Sequence, residues 1–263
     1  MASSRITKTF KALKKQGRKA FIPYIMAGDP SIEKTKELVL LLEDCGADII
    51  ELGVPFTDPL ADGPQIQRAA ERALANGVRL RHVIALVKDL RKSTSVPLIL
   101  MTYYNPVFKY GEEAFMKDAS EAGVDGIIVP DLPPDEAGVL RRLSKKHGID
   151  TIFLLAPTST PERIETVVKA SRGFIYYVSI TGITGARLHL GSSLKESISR
   201  IRSLTDKPVA VGFGVKMPEE ARAVSGIADG VIVGSEIVKR INSEPQDFSK
   251  LKEYLLSLRD AIR

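Results

Sequence analysis

Two carboxylates eleven residues apart, Glu51 and Asp62, are the side chains of this sequence best placed to do chemistry. Glu51 closes the apolar run "ADIIELG" and shares a strand face with Ile49 by the two-residue period of extended backbone. A carboxyl carried into an apolar interior keeps its proton to higher pH. It can then serve as general acid and afterwards as base near neutrality. On position alone, the same Glu could be satisfied by an Arg or a backbone amide. Asp62 follows in "PLADGP", a loop stiffened by Pro59 and Pro64. A pair of carboxylates over one opening suits a reaction that protonates one atom while charge grows at another. An Asp in a Pro/Gly loop is also a common turn former or helix N-cap, and both readings stand for Asp62 and for Asp58.

A second chemistry is written in glycines. "VAVGFGV" and "VIVGSEIV" each run an apolar segment into a Gly turn, and the second opens a helix at Ser235. Backbone N–H groups freed at such turns, aimed with a helix N-terminus, hold anions. A third Gly-rich loop, "SITGITGARLHLG" (179–191), is long enough to be a lid. Together the three point to a phosphorylated substrate. "MTYYNP" (101–106) and Asp131 of "VPDLPP" place further polar groups at strand ends, either to support the carboxylates or for structure alone. Other chemistries find no support. The single cysteine, Cys45, sits in "LLLEDCGADII" and reads as a small core residue, so neither a disulfide framework nor a cysteine metal site can form. His82, His147 and His189 lack metal-ligand spacing, and no metal is expected.

These groups need strands to carry them. Short β-branched apolar runs recur at 20–28, 47–53, 96–102, 126–131, 150–156, 173–179, 208–214 and 230–235. Between them lie helical patterns, such as Ile66, Ala69, Ala70, Ala73 and Leu74, or Val83, Ile84, Val87 and Leu90. Others open on Pro or an N-cap, as in "PDEAGVLRRLSKK" and "TPERIETVVKA". Near-continuous apolar strands alternating with helices mean a parallel sheet covered on both faces. Eight strands in 263 residues leave little room for a second domain. That favours an α/β fold, one (β/α)8 TIM barrel spanning 1–263, over an open doubly wound sheet. In such a barrel the chemistry lies at the C-terminal ends of the strands, and phosphate is often held after strands 7 and 8.

The net charge of +6 is local. Residues 1–19 hold seven Lys or Arg and no acid, and the remainder carries 31 basic against 32 acidic side chains. Ile6, Phe10 and Leu13 form one stripe of a short helix with a basic opposite face. A helix packed on the domain accounts for this better than an RNA-binding arm or a transit-peptide remnant, so no nucleic-acid partner is expected. No apolar run approaches a membrane span. The expected location is cytoplasmic.

"ELGVPFTDPLADGPQIQ" closely resembles the signature of the tryptophan synthase α subunit family. The likeness continues in order through "FIPYIMAGDP", "LMTYYNPVF", "VPDLPPDE", "ITGITGAR", "VGFGV" and "VIVGS", nearly the whole chain. It implies a TIM barrel whose bottom is closed by the N-terminal helix (1–19). It implies retro-aldol cleavage of indole-3-glycerol phosphate to indole and glyceraldehyde 3-phosphate. By the match, Glu51 is the acid–base residue, and Asp62 holds the indole N–H. Phe21, Met101, Tyr103, Ile128 and Tyr176 match or lie near indole-pocket positions. Gly185, Phe213, Gly214, Gly234 and Ser235 form the phosphate site, and Thr184 braces the Asp when the lid closes. The resemblance further implies an α2β2 heterotetramer, with pyridoxal phosphate in the β subunit and no cofactor in this chain. Thr57 stands where Ser is more usual, and "LHLGSS" after Arg187 is unmatched. Stand-alone indole-releasing lyases share almost the same motif, and a phosphosugar isomerase is a further alternative on the same barrel.

Overall fold

The computed structural model describes residues 3–179, 192–212 and 214–263. Among these, nine strands are β1 (Ala20–Met26), β2 (Ile50–Gly53), β3 (Leu98–Met101), β4 (Gly126–Ile128), β5 (Asp150–Ile152), β6 (Leu154–Leu155), β7 (Ile175–Val178), β8 (Val209–Gly212) and β9 (Gly230–Val233). The helices are α1 (Arg5–Lys15), α2 (Ile32–Asp44), α3 (Pro64–Ala75), α4 (Leu80–Leu90), α5 (Tyr104–Tyr110) and α6 (Glu112–Ala122). They continue with α7 (Gly138–His147), α8 (Pro161–Ala170), α9 (Ser192–Arg202), α10 (Pro218–Ser225), α11 (Ser235–Ser243) and α12 (Ser249–Ile262). All the strand pairs are parallel, in the order β5-β4-β3-β2-β1-β9-β8-β7-β6. The ends of that order, β5 and β6, belong to one apolar run and are separated only by Phe153. This is the TIM barrel that the alternation of strands and helices predicts.

The count of nine, where the sequence suggests eight, comes from Phe153. Its N–H leaves the ladder for the Ser171 hydroxyl at 3.4 Å, while its carbonyl accepts from Tyr176 N–H at 3.2 Å. The run therefore pairs with β4 through its first half and with β7 through its second. A second departure is at "PDEAGVLRRLSKK", where the helix begins at Gly138 instead of at the Pro. Thr160, by contrast, caps α8 as expected, its side chain accepting from Arg163 N–H.

Strand residues divide by parity between two cores. Ala20, Ile22, Ile49, Ile99, Ile128, Ile152, Phe174, Ala210 and Ile232 fill the barrel interior. Phe21, Ile25, Ile50, Leu52, Leu98 and Leu100 join the cluster that includes the helices' buried faces. Full burial of each such side chain contributes roughly 1.5–3 kcal/mol. Ile6, Phe10 and Leu13 of α1 belong to the interior cluster, so this helix packs on the barrel's lower end. Gly126 makes room for it: a Cβ there would meet Ile6 Cδ1 at 2.9 Å.

The lower rim repeats one device. Asp48 N–H donates to Phe21 O while the Asp48 carboxylate accepts from Phe21 N–H. Asp125 and Leu98 do the same, as do Asp229 and Val209. Asp125 also receives Arg5 at 2.8 Å, and Asp150 receives the Ser4 hydroxyl at 2.5 Å. Strand starts and the N-terminal helix are thus tied by the same carboxylates, and the opposite rim is left to the site.

Candidate active site

Glu51 lies in β2, between Ile50 and Leu52 of the outer core, so alternation turns its side chain inward. It is 0% exposed, and neither carboxylate oxygen has a hydrogen-bond partner among the described residues. The possibility of an Arg or amide partner is therefore not realised there. Burial alone pushes its pKa up to about 8. At neutral pH the carboxyl holds a proton it can give away.

Asp62 borders the same cavity and is neither the N-cap of α3, which is Gly63, nor without support. Its N–H donates to Pro59 O at 3.0 Å, and its carbonyl accepts from the Gln67 amide at 2.9 Å. The Tyr103 hydroxyl accepts from Ala61 N–H at 2.9 Å. Burial pushes the Asp62 pKa up to about 6, and a hydrogen bond from the Tyr103 side chain pulls it the other way. Downstream, α3 is fastened by Arg72, which grips the buried Asp29 through two hydrogen bonds of 2.8 Å. Asp131 acts in the scaffold, accepting Tyr104 N–H at the start of α5.

The cavity over the barrel mouth has a volume of about 140 Å³ and opens to solvent. Tyr24, Met101, Tyr176 and Ile232 wall it together with the two carboxylates. Of the expected pocket residues, Met101 and Tyr176 are here. Tyr103 is one step back, bracing the Asp62 loop with its ring 5.2 Å from that of Phe56. Ile128 is packed in the barrel interior. Phe21 faces the other way, into the outer core, and its place at the cavity is taken by Tyr24. That is a correction, and its cause is parity: Ala20, Ile22 and Tyr24 share one face of β1, and Phe21 lies on the other.

Gly214, Gly234 and Ser235 line the same cavity. Gly214 has φ +86, a left-handed conformation that side chains resist, and Gly234 is the N-cap of α11. The free N–H groups of that helix end favour an anion. Gly185, Phe213 and Thr184, expected to complete the phosphate site and lid, lie outside the described residues, as does His189. Among the described residues no group of three His, Cys, Asp or Glu could hold a metal ion. His82 instead accepts from Arg79 N–H at the start of α4, and His147 lies 3.4 Å from Glu113. No described helix is long and apolar enough to cross a membrane.

The family model described as tryptophan synthase alpha chain matches residues 10–262. The chain belongs to the tryptophan synthase α chain family. It is 48% identical to the tryptophan synthase alpha chain of Picosynechococcus over 98% of both chains. It is 52% identical to that of Geotalea uraniireducens over 90% of this chain and 88% of the relative. Among solved structures, the tryptophan synthase subunit alpha of Legionella pneumophila superposes with a TM-score of 0.92 at 41% identity, covering 99% of both. A Mycobacterium tuberculosis tryptophan synthase chain gives 0.92 at 40% identity, over 100% and 99%.

Within this family barrel, sequence reasoning missed Tyr24, Ile66, Val215, Lys216 and Ile232 at the cavity wall. Tyr24 and Ile232 were accessible to the parity that placed Glu51. Ile66 and Lys216 depend on how α3 and the segment after β8 fold over the mouth, for which no local signal exists.

Proposed function

We propose that Glu51 and Asp62 divide the acid–base and electrostatic work of cleaving indole-3-glycerol phosphate. The reaction class comes with the family: the chain is a carbon–carbon lyase of tryptophan biosynthesis that releases indole. The observation that carries the residue roles is Glu51, fully buried and without a hydrogen-bond partner among the described residues, on the cavity that Asp62 also borders. Burial pushes its pKa up to about 8, above the value of about 6 at Asp62.

The protonated Glu51 gives its proton to indole C3. The ring becomes cationic, and Asp62 as carboxylate accepts a hydrogen bond from the ring N–H and stabilises that charge. The carbinol hydroxyl next to C3 then returns a proton to Glu51. The carbon–carbon bond breaks, its electron pair goes back to the ring, and the carbinol carbon becomes the aldehyde of glyceraldehyde 3-phosphate. Glu51 ends protonated, ready for the next turnover. Gly214, Gly234 and Ser235, with Gly185 and Phe213, would hold the phosphate, and Thr184 would act in the lid.

Family membership implies a β-subunit partner. The finer reading is an α2β2 assembly in the cytoplasm, with pyridoxal phosphate in the β subunit and indole passed to it directly. Leu60, 94% exposed after β2, and Phe108, 65% exposed after β3, support that reading over a stand-alone lyase. Both are apolar side chains presented beyond the strand ends on the cavity side, where a partner would bury them. We also take the whole chain, 1–263, as one barrel domain with residues 1–19 as its floor.

Indole release by the purified chain, with and without a tryptophan synthase β subunit, tests this. Release that rises steeply with β is expected, and Glu51→Gln should lower kcat by a factor of ~10²–10⁴. Near-wild-type turnover by Glu51→Gln would overturn the acid–base role. Full activity indifferent to β would overturn the partner reading.

A further inference from the structure

The phenol of Tyr24 faces the cavity with its hydrogen-bonding capacity unspent. It lies on β1 in register with Glu51 on β2, so both side chains leave neighbouring strands at one level and toward one side. Tyr24 is 6% exposed, yet its hydroxyl is not among the buried unpartnered atoms, and no described residue hydrogen-bonds to it. It opens on the cavity that Glu51 and Asp62 border.

The backbone has made room for that hydroxyl. A Cβ on Gly53 would lie 2.0 Å from Tyr24 Oη, and one on Gly234 would lie 3.3 Å from Tyr24 Cβ. The phenol is therefore seated between the end of β2 and the N-cap of α11. Glu51, Asp62, Gly234 and Ser235 line the same cavity. A side chain this confined presents its O–H in one place at little entropic cost. Burial, reinforced by the charges of Asp62 and Glu51, holds the Tyr24 pKa well above the ordinary phenol value. The group thus stays a neutral donor throughout the working range and cannot replace Glu51 as base.

The geometry points to Tyr24 as a further catalytic residue, its O–H donating to the carbinol oxygen of the substrate whose proton Glu51 removes. This rests on the lyase reading above and deepens it. A hydroxyl can donate to one group and accept from another at the same time, and in-register residues of adjacent strands present two such groups side by side. As the carbinol proton passes to Glu51, negative charge builds on the oxygen before the C=O forms. A fixed neutral donor strengthens its hydrogen bond over that interval, so its contribution falls on kcat more than on KM. No new atom is transferred: the Tyr24 proton remains on the phenol from start to finish.

The test is Tyr24→Phe, which removes one oxygen facing the cavity, assayed in the complete enzyme with its β subunit. Turnover of indole-3-glycerol phosphate is followed beside binding of 3-(indol-3-yl)propyl phosphate, which lacks both chain hydroxyls. The expected result is about a tenfold loss of kcat, the order of one neutral hydrogen bond, with KM and binding of the deoxy analogue unchanged. Unchanged kcat/KM would overturn the assignment. So would equal losses for substrate and deoxy analogue, which would make the phenol only a wall. Wild-type enzyme that releases no indole would instead remove the lyase reading itself.

Discussion

Glu51 is a carboxylic acid whose raised pKa has to be visible in stability as well as in rate. Its folded value of about 8 stands above an unfolded value of ~4.3, so between those pH values the folded chain holds a proton that the unfolded chain releases. Stability is therefore greatest below the unfolded pKa and falls as pH rises through about 8. Gln does not titrate, so the melting temperature of Glu51→Gln relative to wild type should climb steadily from pH 5 to pH 8.5. A difference constant with pH would show that Glu51 is ionised at lower pH than burial dictates. Asp62 is tuned the other way by Tyr103, whose hydrogen bond keeps its pKa from rising further. Tyr103→Phe should move the acid limb of kcat/KM to higher pH while leaving the alkaline limb in place. An unmoved acid limb would separate Tyr103 from Asp62. Both carboxylates were legible in the sequence because residue type and strand-end position converge on them. Tyr103 and Tyr24 were less so, since their roles depend on which neighbour the sheet register and the loop bring to them.

The elements hold these groups through a few fastenings. The Asp62 loop ends in α3, and α3 is clamped to the segment after β1 by Arg72 on the buried Asp29. Arg72→Ala leaves that carboxylate, only 3% exposed, without its guanidinium. The expected loss of stability is about 2 kcal/mol, the scale of hydrogen bonds to a charged group, read from urea denaturation. A change below ~0.5 kcal/mol, the range of ordinary surface substitutions, would mean that α3 is held by its apolar face alone. Strand and helix alternation was plain in the sequence because β-branched runs and helical periods are local signals. The break at Phe153 was not, because it depends on Ser171, eighteen residues on, competing for a backbone N–H. The reciprocal Asp clamps at Asp48, Asp125 and Asp229 recur beside strand starts, but each needs the preceding strand of the barrel to acquire its meaning.

As a whole, the molecule keeps its two rims apart. The lower rim spends its carboxylates on strand starts and on α1, whereas the upper rim leaves Glu51 without a partner among the described residues and Asp62 on a supported loop. The fold and the two candidate carboxylates could be picked out without coordinates, since the segment from Glu51 to Gln67 is dense in chemistry. The cavity wall needed three dimensions: resemblance pointed to Phe21, and parity within β1 gives Tyr24. With Glu51 required as acid and Asp62 as carboxylate, activity is confined between their two pKa values. The most direct measurement is kcat/KM for indole release from indole-3-glycerol phosphate between pH 5 and pH 9.5. A bell with limbs near 6 and 8 is expected. A rate that continues to rise through pH 8, or one indifferent to pH across that range, would contradict a buried, protonated Glu51 as the group that starts the reaction.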